Sequence, residues 1–146
     1  MLLMQTIFGS FPPVATAASN VIYVKADATG LNDGTSWQDA FNDLQDALEQ
    51  AQAGQQIWIA AGTYKPKPLD PDDARTATFQ MKNDVAIYGG FNGTEATLAE
   101  RDFNANKTIL SGDIGEPNDN SDNSYHVFYH PEGLNLNATA ILDGVT

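Results

Sequence analysis

The apolar positions of this chain change period along its length, and each change marks an element. Val21-Ile22-Tyr23-Val24 is a run of β-branched and aromatic residues, the composition of a strand. Residues 27–34 are rich in Gly, Asn and Asp and read as a loop. Trp37, Phe41, Leu44, Ala47, Leu48 and Ala51 then recur at three- and four-residue spacing. Asp39, Asn42, Asp43, Asp46 and Glu49 lie mostly off that stripe. With Ser36 as N-cap, Asp39 three residues on and Gly54 at the exit, the spacing predicts an amphipathic helix over 37–53.

After Gly54 the period falls to two. Ile57 and Ile59 alternate with Trp58 and Ala60, which predicts a strand ending near Gly62. Further strands are expected at 79–81, 85–88, 108–110, 125–128, 134–136 and 138–142. Between them lie loops rich in Pro, Asp and Asn. Asn83-Asp84 suits the left-handed backbone of a tight bend.

Four segments share the form I-x-x-G: Ile59 to Gly62, Ile87 to Gly90, Ile109 to Gly112 and Ile141 to Gly144. Their glycines lie 28, 22 and 32 residues apart. The match extends further between 83–90 and 137–144, which align without gaps at a separation of 54 residues. A strand-and-turn unit recurring at roughly 20–50 residues points to a solenoid, in which each coil buries its apolar face on the next. The repeat therefore predicts an all-β, right-handed parallel β-helix with an N-terminal capping α-helix. Residues 1–20 would be a leader, and 21–146 the cap and first coils. A chain stopping at Val145-Thr146, inside an expected strand, reads as a truncated fragment whose remaining coils belong to a longer chain.

Several stretches resemble the N-terminal part of a bacterial secreted parallel β-helix of the pectate-lyase-like superfamily, similar to proteins related to chlamydial polymorphic outer-membrane proteins. They are Ile22-Tyr23-Val24 with Asn32-Asp33-Gly34-Thr35-Ser36-Trp37, the Ile57 to Tyr64 segment, Tyr88-Gly89-Gly90-Phe91 with Glu100-Arg101-Asp102, and Leu142-Asp143-Gly144-Val145. The resemblance implies a helix covering the open end of a coil stack and a secreted or cell-surface location. It also implies an adhesin or scaffold type of module. The alternative it allows is the N-terminal part of a polysaccharide lyase or glycoside hydrolase whose catalytic coils are missing.

Composition narrows the partners. At 146 residues, one domain is the natural expectation. Nineteen acidic against seven basic residues give a net charge of −12, which disfavours nucleic-acid backbones and anionic membranes. That charge suits a secreted solute, a cation-rich environment, or a neutral or cationic partner; the resemblance implies a polysaccharide or cell-surface component. There is no cysteine, so disulfides and thiolate metal sites are excluded. Met1 to Ala18 carries no charge and ends near the small-x-small triplet Ala15-Thr16-Ala17, a signal-peptidase pattern, although no basic residues precede it. No later window reaches the roughly 20 apolar residues of a membrane span.

Candidate chemistry is sparse, and no catalytic set stands out. Asp113, Asp119 and Asp122 share an acidic loop with Glu116 and three asparagines, a donor set suited to Ca2+, which takes 6–8 oxygen ligands; the spacing does not fit the twelve-residue calcium loop. Trp58 and Tyr64 are candidate carbohydrate contacts, with Trp37 a residue of the apolar stripe. His126 and His130, four apart in an expected strand, would share a face. Arg75, Lys82, Arg101 and Lys107 are the available bases for lyase chemistry, and none sits in a motif that would assign it.

Overall fold

The computed structural model of the protein describes residues 20–146, so all of the expected 1–20 leader except Asn20 lies outside the described residues. Strands form at several of the expected places, but 79–81, 125–128 and 134–136, expected as strands, are not strands; Phe79 and Phe128 make only a single bridge. β1 (Val21–Val24), β2 (Gln56–Ala60), β4 (Ala86–Phe91) and β6 (Ile141–Asp143) make one sheet in that order. β3 (Gly62–Tyr64) and β5 (Thr108–Leu110) make a second. Every pairing between these strands is parallel. Ile22, Ile57, Ile87 and Leu142 fall opposite one another across the larger sheet, as do Val24 and Ile59. With Leu44, Ala47, Leu48, Phe79, Val85 and Leu110 they form the dry core. Ile22, Ile57 and Ile87 are all buried, so their file excludes water over three adjoining strands.

The expected all-β, closed parallel β-helix is not the architecture of this chain. Among the described residues six short strands lie in two small sheets without a closed solenoid, and a helix sits in the β1–β2 crossover, which makes a small mixed α/β unit. Closing a coil would require the long segments after β3 and β5 to pair along their length. Pro66, Pro68 and Pro71 lack the N–H that such a ladder uses. Side chains take up much of the remaining hydrogen bonding locally. Asp70 N–H donates to Thr76 Oγ1, Arg75 N–H to Asp73 Oδ1, and Glu116 N–H to Asp122 Oδ2. One parallel bridge, Phe79 to Phe128, joins these two regions.

The helix α1 is Leu44–Gln50, not 37–53. Its N-cap is Asp43, whose side chain accepts from Gln45 N–H at 2.7 Å. Ser36 and Asp39 do form reciprocal hydrogen bonds, at 2.9 and 3.0 Å, but no helix follows them. The backbone is diverted to the sheet: Phe41 N–H donates to Tyr23 O at 2.9 Å, and Phe41 O accepts from Lys25 N–H at 2.8 Å. This lays residues around Phe41 along the free edge of β1 and covers it. At the other end, Lys82 Nζ donates to the carbonyls of Glu49 and Ala51, placing a cation where the helix dipole is negative. No helix among the described residues is long and apolar enough to cross a membrane.

The I-x-x-G segments are not the unit of strand register. Ile87 pairs with Ile57 rather than Ile59, and with Leu142 rather than Ile141. Between β4 and β6 the offset is 55 residues where the sequence match gives 54. A slip of one residue exchanges the two faces of a strand, so Ile141 is exposed and Leu142 packs on the core. Of the expected bends, Asp84 does take a left-handed backbone, with φ of 62°.

The opposite face of the larger sheet carries a second apolar assembly. Trp58 stacks on Phe91 with ring centroids 4.7 Å apart, and Tyr23 and Trp37 pack edge-on at 4.8 Å. Trp37 Nε1–H donates to Glu95 O at 2.8 Å. Glu95 is itself buried, and its carboxylate accepts backbone N–H bonds from Asn92, Gly93 and Thr94. Burial pushes this carboxyl up, but the N–H donors together outweigh it and hold the group below the ordinary glutamate range. Glu95→Gln turns one acceptor oxygen into an NH2 facing donors and is expected to cost about 1–2 kcal/mol at neutral pH. A depressed carboxyl stabilises the fold above the ordinary range and loses that contribution as pH falls through its own lowered value. Acid titrations of stability should therefore show a shallower decline for the variant; an identical decline would remove Glu95 from the account.

Candidate functional site

The chain reverses tightly between Asp70 and Thr76, and this turn builds one wall of a cleft. Thr76 Oγ1 donates to Asp73 O at 2.7 Å and accepts from Asp70 N–H at 2.9 Å. Ala74–Thr76 form a single 3₁₀ turn capped by Asp73, whose Oδ1 accepts from Arg75 N–H. The chain then runs beside 125–129. Tyr125 N–H donates to Arg75 O at 2.9 Å, Phe79 N–H to Val127 O at 2.9 Å, and Tyr129 N–H to Phe79 O at 3.3 Å. Ala77, Thr78 and Phe79 are buried along this seam.

Between these two runs opens a cavity of about 360 Å³, lined by Leu69, Arg75, Ala77, Tyr125, His126 and Tyr129, with Asp70, Thr76 and Thr78 completing it. Its size falls in the ordinary range for small-ligand sites, about 300–1,000 Å³. Three large apolar side chains stay open to solvent here: Leu69 is 53% exposed, Tyr125 55% and Tyr129 46%. The rings are held in place. The Arg75 guanidinium sits 4.5 Å from the Tyr125 ring centre, and His126 stacks on Tyr129 with centroids 5.8 Å apart. Such a gathering of exposed aromatics is what a soluble surface ordinarily avoids unless something covers it.

The residues singled out from sequence lie elsewhere. Trp58 is 5% exposed, with its Nε1–H on Gln56 Oε1 and its ring against Phe91. Tyr64 is 3% exposed; its hydroxyl donates to Ala60 O and accepts from Ala26 N–H. Neither presents a ring face to a ligand. In the acidic loop, Asp113, Asp119 and Asp122 each accept a backbone N–H of that loop, from Asn118, Ser121 and Glu116. Asp113 Oδ1, Asp122 Oδ1 and Asn123 Oδ1 are buried without a hydrogen-bond partner, while Asp119 is exposed. Among the described residues no group of three or more His, Cys, Asp or Glu side chains is gathered to hold a metal ion.

His126 and His130 do not act as a pair. His126 lines the cleft, whereas His130 Nε2 accepts from Met81 N–H at 3.0 Å. Arg101 pairs with Asp143, not with its neighbours Glu100 and Asp102, which cap local turns. The sequence signal for the cleft was the run Tyr125 to Tyr129, with three aromatic rings and a histidine in five residues. No protein-family model matches this chain, and neither a curated protein nor a solved structure matches it.

Proposed function

We propose that this chain is an extracellular or cell-surface module that contacts carbohydrate through the Tyr125–Tyr129 cleft. The observation that carries the proposal is the set of exposed, braced aromatic rings around an open cavity of sugar size. Sugar rings present C–H faces that pack on aromatic faces, and their hydroxyls need water or polar partners at the rim. Asp70 and His126 stand at the cleft to supply them. The strongly acidic composition favours a soluble or hydrated partner over nucleic acid.

A glycan array with the wild-type protein and with Tyr125→Ala and Tyr129→Ala tests this. Each substitution is expected to weaken binding roughly tenfold, the equivalent of about 1.4 kcal/mol of lost ring contact. An array without a bound glycan, or binding indifferent to both substitutions, would overturn the proposal.

A further inference from the structure

We infer that the cleft takes an anionic saccharide, with a carboxylate or sulfate of the sugar received by the guanidinium of Arg75. The inference rests on the carbohydrate contact proposed above and adds the charge of its ligand. Arg75 is one of seven basic residues in a chain with nineteen acidic ones. Lys25, Lys67 and Arg101 each form an ion pair with an aspartate, but among the described residues Arg75 has none. Its Nε–H donates to Asn123 O at 2.8 Å, and the guanidinium lies over the Tyr125 ring. Both terminal amino groups are left without a hydrogen bond or ion pair among the described residues. A guanidinium with its two terminal amino groups unoccupied is a planar, forked donor matched to an oxyanion.

The neighbouring carboxylates are engaged by their own turn. Asp70 Oδ1 accepts from Asp72 N–H at 2.9 Å. Asp73 accepts from Arg75 N–H through Oδ1 and from the Tyr125 hydroxyl through Oδ2, the latter at 3.5 Å. Leu69, Ala77 and the tyrosine rings make the wall beside Arg75 apolar, and a charge-assisted hydrogen bond gains strength where water is displaced. The net charge of −12 opposes an approaching anion at long range, but physiological salt screens that field over about 8 Å. The short-range contact with Arg75 therefore decides. An oxyanion seated there leaves Leu69 and Tyr129 for the apolar face of the sugar ring.

Calorimetric titration of the full chain with four forms of one β-linked glucose tetrasaccharide tests the inference: neutral, carboxylated at C6, the methyl ester of that carboxylate, and sulfated at C6. The carboxylated or the sulfated form should bind at least tenfold more tightly than the neutral form, and the ester should match the neutral one. Whichever anion shows the gain identifies the source of the charge. Arg75→Gln should abolish the preference, lowering affinity for the anionic form at least tenfold more than for the neutral one. The ester comparison uses the unaltered protein, so the conclusion survives if that variant folds poorly. Neutral binding equal to or tighter than both anionic forms would overturn the anionic ligand and leave the carbohydrate contact standing. No binding of any form would overturn both.

Discussion

Phe79→Ala is expected to lower the free energy of unfolding by about 3–5 kcal/mol. Phe79 is fully buried and belongs to the main core, yet its backbone also bonds to Val127 O and receives Tyr129 N–H. Its ring packs against Phe128 at 5.7 Å. Truncation removes the transfer energy of a whole phenyl group and leaves a cavity that two converging segments cannot both close. The same residue joins the core to the cleft, so ligand binding should weaken along with stability. Leu69→Ala, at an exposed position in the same cleft, should change stability by less than about 0.5 kcal/mol. Urea unfolding of both variants checks the contrast. Equal, small losses would show that the region of Phe79 is not packed as described.

The second large effect is alkaline. Burial pushes the Tyr64 phenol up to about 12; the N–H of Ala26 opposes that rise and the charge of Asp27 adds to it. The unfolded chain loses the same proton near pH 10. A raised acid of this kind stabilises the fold fully below the unfolded value, and the contribution disappears as pH climbs through the folded one. Two pKa units correspond to about 2–3 kcal/mol, lost progressively between pH 10 and 12. Tyr64→Phe removes the titration. It also gives up the hydrogen bonds to Ala60 O and from Ala26 N–H, so the variant starts lower and then declines less steeply. Thermal melts across that interval should show the two curves converging; parallel curves would mean the phenol is not sequestered.

Local elements were legible in the sequence to the extent that local chemistry decides them. The β-branched run of β1, the alternation of β2 and the bend at Asp84 all stand where pattern and propensity place them. What failed was what distant residues decide. The expected helix began at Trp37 because its stripe of apolar residues is helical in spacing, but pairing of Phe41 with Tyr23 and Lys25 satisfies backbone groups that a helix would have used. The I-x-x-G match misplaced the register by one residue at β6, because a glycine marks where a strand ends and not which face its isoleucine takes. Trp58 lies out of phase with two isoleucines, a position that allows it either to face outward or to pack under the helix. Phe91 and Tyr23, from separate strands, bury it instead. The cleft was the least visible feature. Leu69 and Arg75 come from a loop whose composition says only that it is polar, and they meet Tyr125 and Tyr129 through hydrogen bonds spanning roughly fifty residues of chain.

The most direct measurement is an amide and indole chemical-shift map recorded while the tightest array glycan is titrated into isotope-labelled protein. Ligand-induced shifts should cluster at residues 69, 75–78 and 125–129, with the Trp37 and Trp58 indole N–H signals unmoved. Shifts centred on the two tryptophans, with the Tyr125 and Tyr129 amides silent, would contradict the placement of the site.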